Sequence, residues 1–206
     1  MSAQLHLAGR ALRDPEALIR RYCGLAWEGG PPEVWAYRYY DCGDPTDLSR
    51  VLPVDVLRAA ALHPGLSRSD LDFFVRHADE LSDALVELPD IDLADADDAT
   101  LEHIDALAAV AEPVGLSLLS KVVHPKRPAL VPILDRAITD WYRPVTGRRG
   151  EAAWPSLIRA LAGDLADHAN RVALDGIRQR LADDLGGAAP SRLRCSDIAI
   201  WMQSER

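Results

Sequence analysis

The sequence is poor in cysteine and has no long apolar run. Its 206 residues contain only three cysteines, Cys23, Cys42 and Cys195. Because this number is odd and the three lie far apart, neither a disulfide framework nor a zinc site of paired cysteines is expected. No segment approaches the roughly 18 apolar residues of a membrane span, and polar residues interrupt the N-terminus where a signal peptide would be apolar. We therefore expect a cytoplasmic protein with reduced thiols and no membrane contact.

Motifs for metal ions and cofactors are also missing. The six histidines form no pair at helical spacing, with carboxylates nearby, that would bind a metal ion. The chain has no phosphate-binding glycine loop, no dinucleotide fingerprint and no nucleophile elbow. The sequence therefore predicts no metal and no cofactor.

The formal net charge of −9 hides two segments of opposite sign. Residues 79–112 carry twelve acidic residues and neither lysine nor arginine, whereas residues 113–160 carry eight basic residues against three acidic ones, a local balance of +5. A basic surface attracts anions such as nucleic-acid phosphates, and an acidic surface repels them. Either the two segments pair with each other, or the basic segment meets DNA or a nucleoside and the acidic segment 79–112 faces a protein partner.

Apolar residues at helical spacing indicate an all-α fold. With 48% hydrophobic and 27% charged residues, the chain can build one sizeable core, and we expect a single domain over residues 1–206 and no convincing sheet. Apolar spacings of three and four, with N-caps and proline or glycine stops, predict eight or nine helices. They cover approximately residues 15–24, 53–62, 69–88, 98–112, 116–124, 136–143, 155–185 with a break near Asn170, and 191–203.

The same spacing predicts which helix faces are buried. The helix that begins at Pro53 is expected to bury Val54, Leu57, Ala60 and Ala61. The helix over residues 69–88 is expected to bury one continuous stripe, made of Leu71, Phe74, Val75, Ala78, Leu81 and Leu85. A generic helical bundle would have the same pattern and is the alternative architecture.

Aromatic residues are concentrated between Trp27 and Tyr40, where five of them occur. They either pack in the core or line a pocket in which a base could stack. The run from Trp35 to Tyr40 fits a short strand or the end of a helix equally well.

The most informative stretch is the core segment, residues 112–142. Its first residues, Glu112-Pro113-Val114-Gly115, predict a turn, and apolar residues at helical spacing predict a short helix from Leu116. Three prolines between residues 125 and 132 then forbid a further helix before Asp135. The order is turn, short helix, rigid connector and acidic residue.

This order resembles the helix-hairpin-helix DNA glycosylases, in which a Pro-Gly-Val-Gly type hairpin opens a helix and a Pro-Val-Asp type motif supplies the catalytic aspartate. The corresponding residues are 112–115 and Pro132-Ile133-Leu134-Asp135, with Gly115 and Asp135 separated by 20 residues. The resemblance covers approximately residues 98–145 and implies a helix-hairpin-helix glycosylase-like fold.

The chain is also similar to an uncharacterised bacterial family with a Ser-Lys-x-x-His-x-Lys-Arg-Pro-x-x-x-Pro-x-x-Asp core, here residues 120–135. The second motif of that family is a C-terminal Leu-Arg-x-x-Asp-x-x-x-Trp-Met segment, here residues 193–202. This similarity implies no function.

The resemblance to the glycosylases implies a monofunctional N-glycosylase-like or nucleic-acid-binding protein. Asp135 would be the catalytic carboxylate, which stabilises the sugar cation as the base leaves. Ser117 stands where bifunctional members carry a Schiff-base lysine, so no covalent lysine intermediate is expected, and Lys121, one turn later, is the candidate substitute. Pro113 lacks an N–H that could bind phosphate. The predicted nucleic-acid-binding residues are Gly115, Ser117, Lys121, Lys126, Arg127, Arg148 and Arg149.

Structural roles compete with these functional ones. Asp135 directly precedes a helix and could be its N-cap, and Lys121 could carry its charge to the surface along a short helix. Lys126 and Arg127 could form ion pairs with Asp135 or Asp197 instead of binding phosphate. The functional alternative is a non-catalytic structural or protein-interaction module, so the sequence leaves open whether the protein is an enzyme.

Overall fold

Ten α-helices surround one apolar core in the computed structural model, which describes residues 4–25, 36–42, 47–187 and 189–204. The chain is 68% helical and forms a single domain, so the all-α prediction is confirmed. The helices are α1 (Pro15–Tyr22), α2 (Pro53–Ala59), α3 (Arg68–Arg76), α4 (Ala78–Val86), α5 (Asp98–Ala111), α6 (Leu116–Val123), α7 (Arg136–Thr146), α8 (Trp154–Ala166), α9 (His168–Leu185) and α10 (Arg192–Ser204).

Short elements complete the described part of the chain. Two antiparallel strands, β1 (His6–Leu7) and β2 (Arg10–Ala11), pair with His6 opposite Ala11. This pair of two-residue strands is the only sheet in the described residues, and it agrees with the expectation of no convincing sheet. Single helical turns occur at Tyr37–Asp41, Leu93–Asp95, His124–Lys126 and Gly150–Ala153.

Local capping signals located the helix starts well. Side-chain oxygens of Asp14, Ser67, Asp97 and Asp135 accept backbone N–H groups in the first turns of α1, α3, α5 and α7. Each satisfies a donor that has no partner inside its helix. The expected break near Asn170 is confirmed as well: Asp167 separates α8 from α9 and accepts the Asn170 amide.

Two predicted helix boundaries were wrong. The helix expected over residues 69–88 is divided into α3 and α4 at His77, whose backbone leaves the helical region while its ring stacks on Phe73 at 4.4 Å. The loop expected from Pro144 does not begin there, because α7 continues through Pro144 to Thr146. Proline removes only one backbone donor in this last turn, and Gly147 closes the helix in a left-handed conformation.

The buried face of α2 also differs from the prediction. Leu57 is 59% exposed and Val54 is exposed too, whereas Asp55, Val56 and Ala59 are buried. The apolar spacing was misleading because a charged side chain occupies the interior position. Asp55 is buried with Lys126, which belongs to a segment far along the chain.

The C-terminal helix α10 and the short helix α6 lie deepest in the fold. Seven of the eight residues of α6 are buried, all but Ser117, and α10 buries residues on every side. Helix α10 packs against α1, α7, α8 and α9, and α6 packs against α2 and α5. This arrangement brings the C-terminal helix next to the predicted core segment. No helix among the described residues is long and apolar enough to cross a membrane.

Candidate functional site

The turn between α5 and α6 already holds an anionic side chain. Gly115 adopts φ +82°, which a residue with a side chain would adopt only with strain, and α6 begins directly after it. The Leu116 amide donates to Glu151 Oε1 at 2.6 Å, and a Cβ on Gly115 would lie 3.1 Å from the same oxygen. An internal carboxylate therefore lies where the helix N-terminus was expected to meet phosphate.

The proline connector is held by side chains of α6 and of the turn that follows it. The Ser120 hydroxyl accepts the Leu134 amide at 2.9 Å, and His124 Nδ1 donates to the Val131 carbonyl at 2.6 Å. Both bonds are buried, so the chain reaches Asp135 along one defined path. Asp135 then accepts the Ala137 amide at 2.8 Å through Oδ1.

Asp135 is therefore the N-cap of α7, and it also borders a partly open cavity of about 210 Å³. The apolar walls of this cavity come from α10, from α7 and from the segment that follows α2. Tyr22 and Trp201, whose rings meet edge to face at 6.1 Å, contribute the aromatic surface. The charged side chains that line the cavity are Lys121, Asp135, Arg194 and Asp197.

Two open grooves also meet at Asp135. One, of about 910 Å³, is lined by Arg10, Arg13 and Arg136. The other, of about 430 Å³, runs past Ser117 and Arg149. Asp135 thus lies between the partly open cavity and surfaces that carry arginines.

Lys121 is buried at the edge of the cavity. Its Nζ donates to Ser117 Oγ at 2.9 Å, and its residue is only 3% exposed. Burial lowers the pKa of the Lys121 ammonium, and the nearby Asp135 carboxylate opposes this effect. The predicted route to the surface along a short helix is therefore wrong, because Lys121 points into the protein.

Arg194, which also lines the cavity, forms hydrogen bonds with two other side chains. Its Nε donates to Asp41 Oδ1 at 2.7 Å, and its Nη2 donates to the Tyr22 hydroxyl at 2.7 Å and to Asp41 Oδ2 at 3.1 Å. The guanidinium also lies over the ring of Tyr40 at 5.2 Å. Its hydrogen-bonding capacity is largely used inside the protein.

Asp197 is the exception among these charged groups. The residue is 2% exposed, and neither carboxyl oxygen has a hydrogen-bond partner among the residues that the structure describes. Burial raises the pKa of the Asp197 carboxyl to about 7, against the opposing effect of Arg194. A buried acid without partners is unusual, because proteins normally satisfy such groups.

Lys126 and Arg127, which were predicted to bind nucleic acid, have internal partners. Lys126 Nζ lies 2.7 Å from Asp55 Oδ2 and 2.6 Å from the Asp47 carbonyl oxygen. Arg127 donates to backbone carbonyls near the end of α4, including that of Leu88 at 2.7 Å. Lys126 therefore forms an ion pair, as one alternative predicted, but the partner of Lys126 is Asp55 and not Asp135 or Asp197.

The remaining predicted basic residues lie on the surface. Arg148 and Arg149 are exposed after α7, and Arg149 lies 3.2 Å from Asp140. The acidic segment 79–112 does not pair with them in the described part of the chain. Its ion pairs with arginine run to the C-terminal helices, from Asp92 to Arg192 and from Asp95 to Arg171, each at 3.0 Å.

The aromatic cluster was only partly assigned from the sequence. Trp27 and Trp35 lie outside the described residues. Tyr40 is buried, stacks on His124 and donates to the Lys121 carbonyl at 2.8 Å, so it packs behind the cavity. Tyr39 is exposed. The described run from Tyr37 forms a single helical turn and not a strand.

Sequence reasoning did not place Arg194, Asp197 and Trp201 at the site. They stand at positions i, i+3 and i+7 of α10, which is the spacing of residues on one helix face. That spacing was visible in the Leu-Arg-x-x-Asp-x-x-x-Trp-Met segment and is the signal that could have grouped them.

The fold and this site define an all-α protein with a partly open cavity that charged and aromatic side chains line. The chain belongs to a family of unknown function, DUF6308, which matches residues 16–204. No curated protein and no solved structure matches the chain. Within the described residues, no group of three or more histidine, cysteine, aspartate or glutamate side chains is arranged to hold a metal ion.

Proposed function

We propose that the protein hydrolyses the N-glycosidic bond of a nucleoside unit, with the base held in the cavity and the sugar beside Asp135. The observation that carries this proposal is the position of Asp135 between the cavity of about 210 Å³ and the open groove that contains Arg10, Arg13 and Arg136. A cavity for the base and a cationic groove for phosphates are the two surfaces that a nucleotide or a strand with an extruded base requires.

The chemistry needs one ionised carboxylate at the sugar. As the bond between C1′ and the base nitrogen breaks, its electron pair leaves with the base and positive charge develops on the sugar ring. Asp135 stabilises this charge and orients the water that adds at C1′, and the proton of the water is released to the base or to solvent. The cap on α7 uses Oδ1 of Asp135, and the same bond fixes the orientation of the carboxylate toward the substrate.

No covalent lysine intermediate is part of this proposal. Ser117 occupies the position of the Schiff-base lysine in the glycosylases that the chain resembles. Lys121 reaches the cavity, but its Nζ is bound to Ser117 Oγ. Its role in the proposal is electrostatic, because its ammonium interacts with the nearby Asp135 carboxylate.

Nucleic-acid contacts are assigned to the exposed arginines that border the grooves. Arg148 and Arg149 keep their predicted role, and Arg10, Arg13 and Arg136 join them. Lys126 and Arg127 do not belong to this surface, because their donors are used inside the protein. We place the activity in the cytoplasm, as the composition predicts.

The test compares the wild type with Asp135→Asn on free nucleosides and on duplexes that contain damaged bases. Asparagine retains a side-chain oxygen for the Ala137 amide, so the cap of α7 and the stability are preserved. Loss of the charge is expected to reduce the rate of base release by about 100-fold or more. The matched control is Asp97→Asn, the same change at the exposed N-cap of α5, away from the cavity and the grooves. Equal product from wild type and Asp135→Asn would remove Asp135 from the mechanism.

The contribution of the groove is measured separately by the salt dependence of binding. Arg13→Gln and Arg136→Gln are each expected to weaken the binding of single-stranded DNA and to lower the salt slope by about 1. Arg127→Gln is the comparison, since Arg127 binds protein carbonyls. An unchanged salt slope in the groove variants would show that this surface does not contact nucleic acid.

The alternative is a non-catalytic protein-interaction module. The observation in its favour is the outer face of α4, where Asp79, Asp83 and the apolar Val86 are all exposed. A basic partner would neutralise this face and cover Val86. Charge reversal of Asp79 and Asp83 would then abolish capture of a stoichiometric protein partner, while base release by the wild type would be absent.

A further inference from the structure

Ser117 and Lys121 form a pair whose chemistry the proposed base release does not use. They are one turn apart on α6, and Lys121 Nζ lies 2.9 Å from Ser117 Oγ. Ser117 is the one residue of α6 that is not buried, and it lines the open groove of about 430 Å³. Lys121 is only 3% exposed. A hydroxyl at the wall of a groove is therefore backed by a buried amine.

Lys121 has fewer polar contacts than the other buried lysine. A lysine ammonium has three N–H donors, and Ser117 Oγ is the only hydrogen-bond partner of Lys121 Nζ among the described residues. Lys126 has a carboxylate at 2.7 Å and a carbonyl oxygen at 2.6 Å. Burial without an ion pair favours the neutral amine over the ammonium. A neutral amine accepts a proton, and the Ser117 hydroxyl is the donor within reach.

A serine becomes a nucleophile when a neighbouring base takes up its proton, and lysine is one of the side chains that serve as this base. We propose that Ser117 and Lys121 form a catalytic pair that hydrolyses carboxylic esters bound in the groove. Ser117 contacts the substrate, and its side chain is so short that its hydroxyl lies close to the groove. Lys121 has to reach only Ser117 Oγ, so its burial is compatible with this role.

The reaction has two steps, and in each Lys121 takes up a proton and returns it. In the first, Ser117 Oγ bonds to the carbonyl carbon, its proton passes to Lys121 Nζ, and the bond from this carbon to the alcohol oxygen breaks. The alcohol leaves with the proton from Nζ, and the acyl group stays on Oγ. In the second, water gives a proton to Nζ and bonds to the acyl carbon, and Oγ leaves and recovers the proton. The products are a carboxylic acid and an alcohol, and water is the only co-reactant.

The first turn of α6 supplies a donor for the negative charge that develops on the carbonyl oxygen. Ser117 is the second residue of α6, so its backbone N–H has no partner inside the helix. The positive end of the helix dipole lies at the same place. Glu151 accepts the neighbouring Leu116 amide. We therefore assign the Ser117 amide to the oxygen that becomes negative.

The protonation of Lys121 supports the same conclusion. Burial lowers the pKa of the Lys121 ammonium below its ordinary value of 10.5, Asp135 opposes this shift, and Arg194 contributes to it. The neutral amine is therefore present at a lower pH than in an exposed lysine. The charged and titratable groups around the pair are Tyr22, Tyr40, His63, Asp135, Arg194 and Asp197 near Lys121, and Arg136, Asp140, Arg149 and Glu151 along the groove.

The pair acts in a different protonation state from the one that the proposed base release uses. Base release needs the Lys121 ammonium beside an ionised Asp135, whereas ester hydrolysis needs the neutral amine. The two activities are therefore expected to depend on pH in different ways. The inference does not rest on the proposed function, because it uses the hydroxyl and the amine and not the Asp135 carboxylate.

The first experiment labels the whole protein with a fluorophosphonate, which reacts with serines that have a base in contact. Ser117 Oγ bonds to phosphorus, fluoride leaves, and the proton passes to Lys121. Mass spectrometry of peptides is expected to find the label on Ser117. Ser117→Ala is expected to remove this label. The matched control is Ser156→Ala, a partly buried serine in the first turn of α8, and this change is expected to leave the label on Ser117.

Two substitutions of Lys121 separate the base from the charge. Lys121→Met removes both and keeps most of the packing, whereas Lys121→Arg keeps a positive charge but accepts no proton. Each is expected to lower the rate of labelling at Ser117 by at least about 10-fold. The midpoint of thermal unfolding, recorded for each variant, shows that the protein is folded during labelling. A labelling rate that neither folded variant lowers overturns the proposal.

The second experiment measures the hydrolysis of p-nitrophenyl acetate as a function of pH. The kcat/KM of the wild type is expected to rise with pH and to level off below 10.5, the ordinary pKa of lysine. Asp135→Asn removes the charge that opposes the low pKa of Lys121, so the midpoint of the profile is expected to move to lower pH. Merely structural roles of Ser117 and Lys121 would not produce this shift.

The outcomes for the pair and for base release are distinguishable. Label on Ser117 that depends on Lys121, in a protein that releases no base, supports the pair and overturns the proposed function. Base release by the wild type without label on Ser117 overturns the pair and leaves the proposed function intact. Equal kcat/KM values for p-nitrophenyl acetate in the wild type and Ser117→Ala also overturn the pair.

Discussion

Lys121 and Lys126 are the only lysines in the chain, and both are buried within five residues of each other. Their surroundings differ. Lys126 ends in an ion pair with Asp55, and a hydrogen bond to the Asp47 carbonyl completes its contacts. Lys121 ends beside a cavity, with one hydroxyl as its hydrogen-bond partner.

The difference distinguishes a structural site from a candidate binding site on the same segment. Lys126 and Asp55 neutralise each other and line none of the cavities at Asp135, so their burial serves the fold. Lys121 is buried at the edge of the cavity, and Asp197 has no hydrogen-bond partner among the described residues. A buried polar group without a partner costs stability, and most such groups in folded proteins are satisfied.

The largest effect is expected from breaking the Lys126 ion pair. Lys126→Met leaves Asp55 buried without a counter-charge and is expected to lower the free energy of unfolding by about 3 to 5 kcal/mol. Urea denaturation measures this. In the double variant with Asp55→Asn, which keeps an oxygen for the Leu52 amide, part of the loss should be recovered. A loss below about 1 kcal/mol in the single variant would contradict a structural role for the pair.

Acid is expected to destabilise the protein through His124, which lies between the two lysines. Burial, with a smaller effect of Arg194, lowers the pKa of His124 from 6.5 to about 4. Because the pKa of His124 is lower in the folded than in the unfolded protein, neutral His124 carries no penalty above pH 6.5. As the pH falls toward 4, the free energy of unfolding is expected to decrease by up to about 3 kcal/mol.

The measurement is urea denaturation between pH 7 and pH 4 of two proteins that differ only at position 124, one with the native histidine and one with His124→Gln. Asp197 has the opposite sign, because its pKa is raised from 3.8 to about 7 and it stabilises the folded state as the pH falls. Both proteins should therefore carry Asp197→Asn. Equal slopes in the two proteins would exclude His124 as the source of the acid sensitivity.

A smaller effect is expected at the turn before α6. Glu151→Gln weakens the contact with the Leu116 amide and should lower the free energy of unfolding by about 0.5 to 1 kcal/mol. It should also increase the affinity for single-stranded DNA, because a negative charge leaves the helix N-terminus. The control is Glu112→Gln, an exposed glutamate in the same turn. The same gain in DNA affinity in both variants would show an effect of net charge alone.

The smallest effect on stability is expected at Lys121, which sharpens the contrast with Lys126. Lys121→Met keeps most of the packing and removes a desolvated charge. The free energy of unfolding should therefore change by less than about 1 kcal/mol, and an increase is expected rather than a decrease. Urea denaturation alongside Lys126→Met measures both under the same conditions. A loss as large as that of Lys126→Met would mean that the two lysines have the same structural role.

Features that depend on near neighbours in the chain were predictable. The caps at Asp14, Asp97 and Asp135 and the stop at Gly186 follow from interactions within one turn of a helix, so residue type and spacing suffice. The all-α class follows from the same periodicity. The prediction was wrong at α2, where a partner from a distant segment determined which face is buried.

The sequence by itself determined the helices, most of their ends, and the rigid connector that leads to Asp135. Only the tertiary structure decided that Lys126 is paired and that Asp197 has no hydrogen-bond partner among the described residues, because each outcome depends on which distant side chains reach the same interior space. The cavity is assembled from α1, the segment after α2, α6, the residues before α7, α7 and α10, and no local pattern encodes the distance between those elements. Capping is a local interaction, whereas the satisfaction of a buried charge is a property of the whole fold.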